Sequence, residues 1–87
     1  MEEIVQIGRV AHYYTKIGVA VVEITDSYLS IGDEIIIRGP TTDLRQKIES
    51  MEIEKKKIER AEKGNSIGLK VASKVRENDI VLKIVTS

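Results

Sequence analysis

Three consecutive isoleucines, Ile35 to Ile37, stand between Gly32-Asp33 and Gly39-Pro40, and this segment constrains the fold more than any other. Branching at Cβ restricts χ1, which is mildly unfavourable in a helix and well suited to a pleated sheet. Gly-Asp supplies a tight turn before the run. Pro40 lacks the N–H that a continuing ladder would need, so the strand stops there. Residues 28–39 therefore read as a short strand from Tyr28 to Ser30, a turn at Gly32-Asp33, and a buried strand from Glu34 to Arg38. The same preference runs through the chain, with 14 Ile and 9 Val against 4 Leu and 4 Ala. With no Phe, no Trp and three Tyr, the core has to be built from branched aliphatics. Its 87 residues predict a single domain, 1–87. A chain of that size buries only about 60–65% of its unfolded surface, so the core must be well filled.

Other strands follow from alternation and turn residues. Ile4 to His12 and Lys16 to Thr25 are the first two, the second containing Val19, Val21 and Val22. Near the end the period of two is clearest. Ile67, Leu69 and Val71 alternate with Gly68, Lys70 and Ala72, and Ile80, Leu82 and Ile84 alternate with Val81, Lys83 and Val85. Asn78-Asp79 provides the turn before the last strand. Gly32 and Gly64 sit where turns call for positive φ, and Gly68, inside a strand pattern, suggests a bulge, a bend or a close backbone approach. Several short strands with regular turns point to an all-β barrel or sandwich.

Residues 41–63 admit two readings. Leu44, Ile48, Met51 and Ile58 recur at helical spacing, Asp43 with Gln46 could cap such a helix, and Gly64 could end it. The other reading is two strands, Arg45–Ile53 and Lys57–Ala61, joined by a turn at Glu54-Lys55-Lys56.

Three ordered elements bear on this choice. Ile-Gly-Asp-Glu-Ile-Ile-Ile-Arg-Gly from Ile31, Lys-Ile-Glu-Ser-Met-Glu-Ile from Lys47, and Arg-Ala-Glu-Lys-Gly-Asn-Ser-Ile-Gly-Leu from Arg60 resemble the successive strand motifs of domain II in elongation factor Tu and its relatives. The resemblance implies that residues 44–61 form two strands within a small antiparallel β-barrel. It also implies a non-catalytic binding module, contacting RNA (tRNA or the ribosome) or a translation-related protein. In members of that family that carry aminoacyl-tRNA, the 3′ end docks near the turn and strand matching Ser66–Lys70. Asn is frequent there in place of Ser66, and an apolar residue in place of Lys70. Barrels of this kind are also appended to other enzymes, for example in proteins resembling the U32 peptidases. The alternative expectation is therefore a protein-interaction or accessory module for a separate catalytic chain.

The chemistry available is sparse. No Gly-x-x-x-x-Gly-Lys-Ser/Thr loop occurs, so no GTP binding is expected. His12 is the one histidine, and no motif accompanies it as a base or a ligand. Cysteine is absent, which removes disulfides and thiolate metal sites. Neither a catalytic residue nor a cofactor is expected. Net charge is zero but unevenly spread, about −4 over residues 1–44 and +4 over 45–87. The basic half groups Lys47, Lys55, Lys56, Lys57, Arg60 and Lys63, interleaved with Glu49, Glu52, Glu54, Glu59 and Glu62. With Ser66 and Lys70 these bases are the candidate contacts to RNA or a partner, through phosphate attraction sensitive to salt. Tyr13, Tyr14 and Tyr28 offer stacking faces. Gly32, Asp33, Gly39, Gly64 and Gly68 are assigned to turns and bends. No apolar run approaches the ~18–20 residues that span a bilayer, and an acidic start without a signal pattern predicts a cytoplasmic protein. Rich use of Ile, Lys and Glu with few Gln and Asn suits a heat-tolerant source.

Overall fold

The computed structural model describes residues 2–86 and is all-β, with every strand pair antiparallel. Ten strands run in chain order: β1 (Glu2–Tyr14), β2 (Val19–Ile24), β3 (Tyr28–Ser30), β4 (Glu34–Gly39), β5 (Thr42–Lys47), β6 (Met51–Ile53), β7 (Lys56–Ile58), β8 (Arg60–Glu62), β9 (Ser66–Lys70) and β10 (Ile80–Thr86). Eight form one sheet in the order β5-β4-β10-β1-β2-β9-β6-β7, while β3 pairs with β8. The sheet wraps around a single core into which Ile7, Val10, Val22, Ile35, Ile37, Ile48, Met51, Ile67 and Leu69 all project. No helix among the described residues is long and apolar enough to cross a membrane.

The contested middle third is strand, as the two-strand reading requires, but in shorter pieces. Residues 48–50 interrupt the first piece between β5 and β6, and Glu59 interrupts the second between β7 and β8. Ile48 stays paired across the gap, its N–H donating to Asp33 O at 2.8 Å while its carbonyl accepts from Gly32 N at 2.9 Å. The helical spacing of Leu44, Ile48 and Met51 instead reflects three inward positions, one on β5, one in the break after it and one on β6, all three being buried. The hairpin β6–β7 closes through two residues, Glu54 and Lys55, with φ of 50° and 67°. That backbone matches the right-handed strand twist but is one that glycine and asparagine adopt more readily.

β1 is the longest strand and pairs on both sides, with β10 and with β2. Its register slips between Gln6 and Gly8 against β10, and between Val10 and His12 against β2. These two bulges bend β1 around the core. Gly8 is obligatory at the first, since an added Cβ would overlap the carbonyl oxygen of Glu23. Gly68, by contrast, pairs in regular register with Val21 and Glu52.

The alternation in β10 has an outcome its pattern conceals. Val81 joins the barrel core, with Lys83 on the same face, whereas Ile80, Leu82 and Ile84 face outward. There Leu82 and Ile84 form a second apolar cluster with Ile36, against which Ile80 packs. This explains the triple isoleucine. Ile35 and Ile37 fill the interior while Ile36 covers the outer row.

Candidate interaction surface

β5 ends the sheet, and no ladder joins it to β9. Gln46 spans this seam. Its Nε2 donates to Lys70 O at 2.9 Å, and its Oε1 accepts from Ala72 N at 2.8 Å. A groove of about 520 Å³ follows the seam, lined by Gln46, Lys47, Glu49, Ser50, Lys70, Val71 and Ala72. A smaller recess of about 110 Å³ adjoins it at Val19, Glu52 and Gly68 and shares Ser50 and Lys70 with it. Gly68 has no side chain to fill that recess. A third hollow, of about 330 Å³, opens from Glu49 and Ser50 toward Ile31, Lys57 and Ile58.

Beside this system lies the β1–β2 hairpin tip. Tyr14 and Val19 pair across it, and Val19 pairs in turn with Lys70. Tyr14 is 50% and Ile17 58% exposed, high for large apolar side chains. The His12 ring meets Tyr14 edge-on at 4.4 Å, and its Nδ1 lies 3.6 Å from Glu77 Oε1. An exposed aromatic and an exposed isoleucine at one hairpin tip, whose strand β2 pairs with the groove residue Lys70, have the anatomy of a protein-contact surface.

The candidate contacts from sequence fall in separate places. Lys47 and Lys70 line the seam groove together. Lys55, Lys56 and Lys57 are exposed at the β6–β7 hairpin, beside Glu54 and opposite Glu52. Arg60 lies 4.1 Å over the Tyr28 ring and 3.0 Å from Glu62, so its charge is engaged. Lys63 and Ser66 are exposed, Ser66 pairing with Glu23. Gly32 and Gly64 have φ of 93° and 95°. Asp33 Oδ2 accepts from Ser30 N at 2.8 Å, bracing the turn. Gly39 makes room for buried Asp79, whose Oδ2 accepts from Arg76 N at 2.9 Å.

Two further features were not foreseen from sequence. Lys83 Nζ sits inside the barrel mouth, 3.2 Å from Tyr28 O. On the outer face Arg45 Nε donates to Glu34 Oε2 at 2.6 Å, with Glu2 3.4 Å from the same guanidinium. The Arg45 hydrogen bond holds the Glu34 carboxyl below its ordinary range, and Glu34 in turn raises Arg45. No group of three or more His, Asp or Glu side chains among the described residues could hold a metal.

No family model matches the chain. It is 42% identical over 76 residues to a collagenase of Porphyromonas gingivalis strain W83, a match that covers 86% of this chain. It is also 42% identical over 78 residues, 88% of the chain, to an uncharacterized protease of Methanocaldococcus jannaschii. The chain spans about a fifth of the length of these curated relatives, 18% and 19% respectively. Among solved structures it superposes on the C-terminal domain of a Geobacillus thermoleovorans protein assigned as a U32 peptidase. The TM-score is 0.83 at 23% identity, with 90% of each chain covered. These findings overturn the elongation-factor kinship and the translation role drawn from it. The Gly-Asp turn, the strand at Lys47 and the Gly64 turn are parts that a small antiparallel barrel needs for its own closure. They report the architecture rather than the lineage.

Proposed function

We propose that this chain is an accessory, protein-binding module of a U32-type peptidase, acting with a catalytic portion it does not itself contain. One observation carries this reading: the chain matches about a fifth of a collagenase at 42% identity, leaving most of that relative outside the match. The module's own residues fit a non-catalytic part. His12 is half-exposed at a hairpin, its ring edge-on to Tyr14 and its Nδ1 beside the exposed carboxylate of Glu77. The exposed serine nearest the seam, Ser50, lies among Glu49, Glu52, Lys47 and Lys70 with no histidine in the grooves it lines. A general base within hydrogen-bond reach is what serine chemistry needs.

In this reading the hairpin tip at Tyr14 and Ile17 and the adjoining grooves present the module to protein. Their test is association. The purified chain is sedimented with the remainder of the P. gingivalis collagenase, made without its matching segment. The expected result is a one-to-one complex, weakened by Tyr14→Ala combined with Ile17→Asp. Independent sedimentation of the two, with both folded, counts against the reading.

A further inference from the structure

We propose that the seam between β5 and β9 is a strand-addition site for an extended polypeptide, with the Gln46 side chain as its internal placeholder. The hydrogen-bond pattern identifies the class of ligand. In a parallel ladder, a residue gives its N–H to the carbonyl of one partner residue and takes the N–H of the residue two further on. The Gln46 amide makes that pair of bonds to Lys70 O and Ala72 N. Val71 points the other way, its N–H donating to Gly18 O at 3.0 Å. The side-chain amide thus makes the two bonds that the N–H and C=O of one residue of an added strand would make. β9 is itself an interior strand, but its ladder with β6 ends at Leu69, so Lys70 and Ala72 face the seam beyond that ladder, while β5 is an edge. Such unladdered positions are a template for another chain.

Three further observations favour such an occupant. The seam already holds a groove of about 520 Å³, within the range of ligand sites. Both Gln46 bonds lie at an exposed position on a flexible side chain, so displacement costs little order. Lys47 and Lys70 on the rim outnumber Glu49, which favours a segment carrying an acidic residue. The site goes beyond the accessory role proposed above, since it assigns to this barrel a grip on polypeptide backbone.

The full chain, labelled for NMR, is titrated with an end-blocked Thr-Val-Asp-Val-Thr-Val peptide and with the same peptide N-methylated at alternate residues. The Gln46 side-chain amide signals are expected to move toward free-solvent positions as the peptide saturates, with shifts at Lys70 and Ala72. N-methylation is expected to weaken binding about tenfold, by removing the donors. Gln46→Ala, relieved of the competing amide, is expected to bind about threefold or more tightly. If that variant does not fold, the Gln46 signals of the unaltered chain still decide. Unmoved Gln46 signals, or equal response to both peptides, would overturn the site, as would a self-associated dimer that the peptide does not dissolve. A chain that joins the collagenase remainder but gives no such response sinks the seam alone and leaves the accessory role standing.

Discussion

Lys83 Nζ lies 3.3 Å from Asp33 Oδ2 and 3.6 Å over the ring of Tyr28, at the mouth of the barrel interior. The Lys83 side chain is only 8% exposed. Asp33 therefore has two duties, holding the Ser30–Asp33 turn and neutralising an inward lysine from β10, fifty residues later in the chain. Tyr28 receives Lys83 and Arg60 within cation–π distance.

The two halves of this pair are not equivalent to remove. Asp33→Ala strands a desolvated ammonium and frees the Ser30 N–H, and is expected to cost about 2–3 kcal/mol. Lys83→Met keeps the stem's packing and removes the charge, and is expected to cost about 1 kcal/mol or less. Urea unfolding of both variants measures the difference.

The Glu54-Lys55 turn holds two side chains at positive φ. Replacing the pair with Asn-Gly suits the same backbone and is expected to stabilise the chain by about 1 kcal/mol. Thermal unfolding should shift upward with the fold unchanged.

Gly8 and Gly68 are expected to respond in opposite ways. Gly8→Ala drives a methyl into the Glu23 backbone carbonyl and should cost about 3 kcal/mol or prevent folding. At Gly68 a new Cβ would meet Val19 Cγ1 at 3.6 Å, an ordinary contact, so Gly68→Ala should change stability by less than about 0.5 kcal/mol. It should also fill the recess beside Lys70. Denaturant midpoints of the two variants check both statements.

What the sequence disclosed depended on how local the determining interactions were. Tyr28–Ser30 and the strand after Gly32 were legible because the turn, the branched run and the proline stop all lie within the segment. The β10 alternation showed two faces but not which was inward, because the outer row of Ile80, Leu82 and Ile84 is itself apolar and Lys83 is the residue turned inside. Gln46 looked like a helix cap, since its real partners lie 24 and 26 residues away. The Gly8 approach to Glu23 was equally hidden, being set by a bulge rather than by a turn. The basic residues were countable, yet only the fold separates Lys47 and Lys70 in one groove from Lys55 to Lys57 at a hairpin.

Acid should release one surface contact. The Arg45 hydrogen bond lowers the Glu34 carboxyl below its ordinary value of 4.5, so the folded form gains from its ionisation. That gain is fully present above the ordinary value and is lost as pH falls through the lowered one. Glu34→Gln should therefore unfold more easily than the unaltered chain at neutral pH, with the gap closing in acid and narrowing in high salt. Urea midpoints measured against pH test the direction.

The most direct test of the accessory role is exchange. In the P. gingivalis collagenase, the matching segment is either deleted or replaced by this chain, and cleavage of denatured collagen is measured beside the isolated chain. The account predicts that deletion abolishes cleavage, that replacement restores it to within about tenfold of the parent, equivalent to about 1.4 kcal/mol, and that the isolated chain cleaves nothing. A folded replacement no more active than the deletion, or cleavage by the isolated chain, would contradict it.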